Sequence, residues 1–173
     1  GRMHLSVTGG TALDGTLDAR PIMTGSRRAA GGSIWLTTGS LAGNGDLLAG
    51  GGDGGGGGGR IAVCLTRGND FGSIAFDARG GLGANPGAAG TVYLQERNAP
   101  AGHGDIRVWN AGRAAASNAV THIPPTGGAQ VSDLPPVYGP SADDLSNTAL
   151  RVAEDGRVQL TAELGIRDLQ VAT

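Results

Sequence analysis

Asp77 and Arg79 are the two residues whose types and spacing point most directly to chemistry. They follow a strand-like run, Gly72-Ser73-Ile74-Ala75-Phe76, and alternate residues of a strand share one face. A carboxylate held beside a guanidinium could grip a uronic acid or take part in β-elimination. A salt bridge at a strand edge asks for nothing more than the same two residues and is the favoured expectation. Asn44, Asp46, Asp53, Asp70 and Asp77 lie in or beside glycine turns and offer the oxygen ligands that hard cations take. The Gly-Asp nonapeptide repeat of calcium-binding arrays is missing, so solvated turn carboxylates are the favoured reading and no metal is assigned. His4, His103 and His122 are too scattered for a metal triad, and no Ser, His and Asp constellation assembles from the sequence.

A second candidate is the run Gly50, Gly51, Gly52, Gly54, Gly55, Gly56, Gly57, Gly58 and Gly59, nine of the ten residues before Arg60. Backbone N–H groups of such a run can cradle phosphate. No Lys-Ser/Thr pair follows it and no helical pattern begins after it, so nucleotide binding is not expected and no cofactor is assigned. A third candidate is aromatic. Trp35, Tyr93 and Trp109 alternate with aliphatic residues that read as core-facing, which places them on an outer face where they could stack on sugars or anchor a partner. The competing expectation, slightly favoured, is that glycine-rich loops fold over this wall and bury the rings.

The elements that must position these residues read as strands. Gly31-Gly32-Ser33-Ile34-Trp35-Leu36 returns as Gly58-Gly59-Arg60-Ile61-Ala62-Val63 and as Ala89-Gly90-Thr91-Val92-Tyr93-Leu94, with Ile34, Ile61 and Val92 spaced by 27 and 31 residues. A second motif interleaves with it: Gly15-Thr16-Leu17, Gly45-Asp46-Leu47 and Gly72-Ser73-Ile74, with glycines 30 and 27 apart. Two strand motifs sharing one period near 30 predict stacked units in which Ile34, Ile61 and Val92 form an inner ladder. No segment carries the i, i+3, i+4, i+7 pattern of a helix. Further strands are expected at 105–109, 150–152, 158–160, 164–166 and 169–171, and 111–117 has the composition for a turn of helix but is too short to assign. Between Thr121 and Pro140 the prolines cluster and predict an excursion outside any central ladder.

Glycine is 34 of 173 residues without a Gly-X-Y period, which excludes collagen. The low aromatic share of 3% implies a thin core of small aliphatic side chains. All thirteen basic residues are arginine against fifteen acids, a net charge of −2 that gives no electrostatic reason to expect nucleic acid or an anionic membrane. The single cysteine, Cys64, excludes an intrachain disulfide, and no apolar run reaches the length of a membrane span.

With the run Gly31 to Leu36, the block Gly50 to Gly59, Gly58 to Val63 and Gly90 to Leu94 in this order, the sequence resembles glycine-rich parallel β-helix segments of large secreted or surface bacterial proteins, including autotransporter-like adhesins. The resemblance covers about two-thirds of the chain and transfers no catalytic residue. It implies an extracellular or cell-surface location. The expected fold is an all-β parallel β-helix, a β-solenoid of about six coils by the repeat count, whose glycine-rich corner loops stack as polyglycine II-like strands. One domain is expected over 1–173: glycine-rich coils at 1–97, a strand and Pro-rich excursion at 98–141, and short-strand coils at 142–173. The expected function is a non-catalytic structural module of an adhesin or fibre, with other copies of itself or adjoining segments as partners and end-to-end filaments as one outcome. A carbohydrate-active β-helix, either a polysaccharide lyase or a binding module with a polysaccharide partner, is the alternative. Replacing Gly55 and Gly57 by Val is expected to disorder residues 50–90.

Overall fold

A computed structural model describes residues 1–22, 28–100, 103–123, 147–160 and 166–172. Strands and their connections make up these residues, with no helix among them. The alternation of β-branched and aliphatic residues with small polar ones gives β1 (Arg2–Ala12), β3 (Ser33–Ala42), β5 (Arg60–Leu65) and β7 (Thr91–Gln95), which pair in parallel in that order. The ladder Met3, Ile34, Ile61, Val92 is in register, as the repeat predicts for its last three members. Three short strands, β2 (Thr16–Asp18), β4 (Asp46–Leu48) and β6 (Ala75–Asp77), form a second parallel sheet. Its register aligns Leu17, Leu47 and Phe76, so the third copy of that motif is displaced by two residues from Ile74, with the facing side preserved. The two sheets share one core. Ile34, Leu36, Ile61, Val63, Val92 and Leu94 from the large sheet and Leu47 from the small one are buried together.

The parallel β-helix of about six coils does not form. β8 (Asp105–Trp109) pairs antiparallel to β7, with Tyr93 opposite Ile106, and is followed in parallel by β10 (Ala149–Ala153) and β12 (Asp168–Val171). The result is a mixed seven-stranded sheet in the order β1-β3-β5-β7-β8-β10-β12, with the three-stranded sheet and a two-stranded parallel sheet of β9 (Thr121–Ile123) and β11 (Val158–Leu160) beside it. The cause is connection length. Only residues 96–104 separate β7 from β8, whereas a parallel crossover needs about a dozen residues or more. Residues 124–146 and 161–165 lie outside the described residues, and with them most of the proline-rich excursion and the start of the expected strand at 164–166.

The antiparallel pair also exchanges the two sides of the sheet. Residues directly opposite one another share a face, so Ile106 lies on the face of Tyr93, and Arg107 on that of Val92. Val108, Leu150 and Val152 therefore build a second core, with Ile106, Val158 and Ile166 packed against it, on the side of the sheet away from the first.

Candidate functional site

Asp77 and Arg79 do come together. The Arg79 backbone N–H donates to Asp77 Oδ1 at 2.9 Å, its Nε to the same oxygen at 2.8 Å, and Nη2 to Oδ2. Burial pushes the Asp77 carboxyl up, but the Arg79 hydrogen bonds outweigh it and hold the group below the ordinary carboxylate value. Asp18-Ala19-Arg20 is a second copy of the same tripeptide. Its backbone and guanidinium bonds to Asp18 follow the same pattern at 2.8, 3.0 and 2.7 Å, and the Arg20 side-chain bond lowers the Asp18 pKa. Asp18, Leu48 and Asp77 occupy one register column, so the two clamps flank the strand that leads into Gly50. With its arginine already bound, through three bonds at Asp77 and four at Asp18, each carboxylate is held as a structural clamp. The Asp18–Arg20 clamp borders a cleft of about 480 Å³ that is also lined by Pro21, Ile22, Gly51, Gly52 and Asp53.

The hard-cation candidates are dispersed among local bonds. Asn44 N–H donates to Asp14 Oδ1, Thr16 Oγ1 donates to Asp46 Oδ2, and Asp70 Oδ1 accepts the Gly72 N–H. His4 lies on β1, His103 in the β7–β8 connection and His122 on β9. Among the described residues no group of three or more His, Cys, Asp or Glu could hold a metal ion.

The glycine run forms a layer of backbone packed on backbone. It belongs to the connection from β4 to β5, and it lies between the connection that precedes β3 and the one from β6 to β7. On one side Gly52 N–H donates to the Ala29 carbonyl and Gly57 accepts from Gly31; on the other, Gly51 and Gly58 N–H donate to Arg79 and Ala88, and Gly56 accepts from Gly81. A Cβ at Gly56, Gly58, Gly59, Gly81 or Gly87 would come within 3.0 Å of a neighbouring carbonyl oxygen, which no side chain tolerates. The run is not one uniform polyglycine II strand. Gly54 and Gly55 have φ of 103° and 96°, and Gly56 N–H donates back to the Gly52 carbonyl, so the run turns on itself. Gly57 differs from its neighbours, since a Cβ there meets nothing within 4 Å.

Asn110, which sequence reasoning missed, fastens this layer to the second half of the sheet. It is fully buried at the end of β8; its Oδ1 accepts the Gly80 N–H at 2.8 Å and its Nδ2 donates to the carbonyls of Arg113 and Gly87. The Asn-Ala-Gly sequence is a turn signal. Ala111 and Gly112 both take positive φ, with Arg113 N–H donating to the Asn110 carbonyl. Glu154 and Asp155 repeat this geometry one strand away, and the Glu154 carbonyl accepts from Asn110 and Gly112 N–H groups.

Trp35 and Tyr93 lie on one outer column, with Ala62 between them. Trp35 is 40% exposed, its Nε1 donates to Thr37 Oγ1 and its ring meets His4 at 5.7 Å between centroids. Tyr93 is half-buried; its hydroxyl donates to Gln95 Oε1 at 2.7 Å and accepts the Gly104 N–H, so the short β7–β8 connection, and not the polyglycine run, comes over this ring. Trp109 is on the other side of the sheet, the face of Arg107, where it packs against the first core. Burial raises the pKa of the Cys64 thiol, which lies in register with Thr37 and Gln95. Compared with protein families, curated proteins and solved structures, the chain matches none.

Proposed function

We propose that the chain is a non-catalytic structural module of an extracellular surface protein, adhesin or fibre, associating with copies of itself through its sheet edges. The observation that carries this reading is the commitment of the chemically capable groups to internal bonds: Asp77 and Asp18 are each held by their own arginine, and the glycine run is used up in backbone contacts. The resemblance to glycine-rich surface proteins supports the location. Incubation with a panel of polysaccharides, polyuronates included, is expected to yield no shortened or unsaturated products, and product formation abolished by Asp77→Asn would overturn the reading.

One observation favours a second reading, a carbohydrate-binding module. Trp35 is exposed beside the small residue Ala62 and two column positions from Tyr93, leaving a notch over Ala62 between two rings, and rings at such a notch stack on sugar faces. Retention on immobilised polysaccharide that Trp35→Ala removes would favour it over the structural reading.

A further inference from the structure

Among the described residues β1 pairs only with β3, and β12 only with β10, so each has one edge that no described strand pairs. Each edge ends a core. On β1 the column Met3, Leu5, Val7 continues the first core, and Leu5 is 37% exposed. On β12 Leu169 and Val171 stand in register with Leu150 and Val152 of the second core, and are 56% and 70% exposed.

Resting on the structural reading above, we propose that the occupant of the β1 edge is β12 of a second copy, related to the first by about a half-turn around the axis that runs across the strands. Within one chain β12 runs antiparallel to β1 and carries its apolar column on the opposite face, because of the β7–β8 reversal. A half-turn about that axis reverses both properties at once. β12 of the second copy then lies parallel to β1, as β3 already does, and its Leu169 and Val171 extend the Met3/Leu5 column. The same register sets Asp168 opposite Arg2 and Gln170 opposite His4. β1 contains no acidic residue, so β1 paired with a second β1 would leave Arg2 without this partner and both β12 columns open. Repeating the contact gives an open filament with an approximately two-fold screw, since the two surfaces differ and the rotation does not close. Sheet twist shifts each step away from a strict half-turn.

Single-cysteine chains test this directly. In a Cys64→Ser background, Met3→Cys and Leu169→Cys copies, distinguishable by mass, are mixed and mildly oxidised. Adjacent strands about 4.8 Å apart suit disulfide geometry, so mixed dimers are expected to dominate over both like pairs. Predominant Met3→Cys like pairs, a statistical mixture of all three dimers, or no dimer would each overturn the proposal. The exposed substitutions Arg2→Glu and Asp168→Arg guard against loss of folding. Each is expected to weaken association by about fivefold in sedimentation, and mixing the two to restore it; unchanged association would count against the pairing. Failure here leaves the polysaccharide assay untouched, so the assembly geometry and the non-catalytic reading fail separately.

Discussion

At the scale of single residues, the Asp-Ala-Arg clamp shows why a chemically suggestive pair need not be a site. Asp77 accepts three bonds from Arg79, two residues along, so the carboxylate fixes the direction in which the chain leaves the small sheet for the glycine layer. Both clamped carboxylates have folded-state pKa values below those of the unfolded chain. As pH falls the unfolded chain takes up these protons first, so the contribution is complete above about pH 4 and is lost as pH drops through the lower folded values. Asp77→Asn is expected to lower stability near neutral pH by about 1–2 kcal/mol and to flatten the loss of stability below about pH 4. Urea unfolding at several pH values measures both, and an unchanged acid dependence would show that the clamp is not formed. The Asp77 and Arg79 pairing was legible from residue types alone. Its twin at Asp18 and Arg20 carried a readable signal, the same tripeptide two repeat periods earlier. Asn110 carried none beyond a turn motif, because its role depends on which carbonyls the fold brings to it.

The glycine layer is the element that the repeat, read as corners of a β-solenoid, described incompletely. Three connections lie side by side and exchange backbone hydrogen bonds, as expected of stacked loops; the turn at Gly54 and Gly55 was hidden, because a glycine run contains no side-chain pattern to mark a reversal. The same absence hid which glycines are indispensable. Gly57 has open space where a Cβ would go, whereas a Cβ at Gly59 would strike the carbonyl oxygens of Gly32 and Ala49. The pairing of Gly55 with Gly57 therefore mixes an essential position with a tolerant one. Gly57→Val alone is expected to change stability by less than about 1 kcal/mol, and Gly59→Val to lower it by more than about 3 kcal/mol through displaced backbone. Thermal unfolding of the two variants decides this. Equal effects would mean that the layer does not pack as described.

For the whole molecule, the pairing of β1 with β3 was found only in the fold, while the period of about 30 residues was sufficient to stack β3, β5 and β7 and to name the ladder at Ile34, Ile61 and Val92. It fails where the spacing itself changes: Val92 to Ile106 is 14 residues, too short to bring the chain back in the same direction. From that one reversal follow the mixed sheet, the second core on its opposite face and the edges whose apolar columns match only after a half-turn. The first core, the clamps and the glycine layer are joined by continuous hydrogen bonding from Ala29 through Gly52, Gly51 and Arg79 to Gly80 and Asn110, so they should open together. Amide hydrogen exchange, resolved at individual residues, tests this most directly. Gly51, Gly52, Gly58, Gly59 and Gly81 are expected to exchange as slowly as Ile61 and Val63 on β5, in one cooperative unit. Free exchange across Gly50 to Gly59 beside protected strands would contradict the account and make the run a linker.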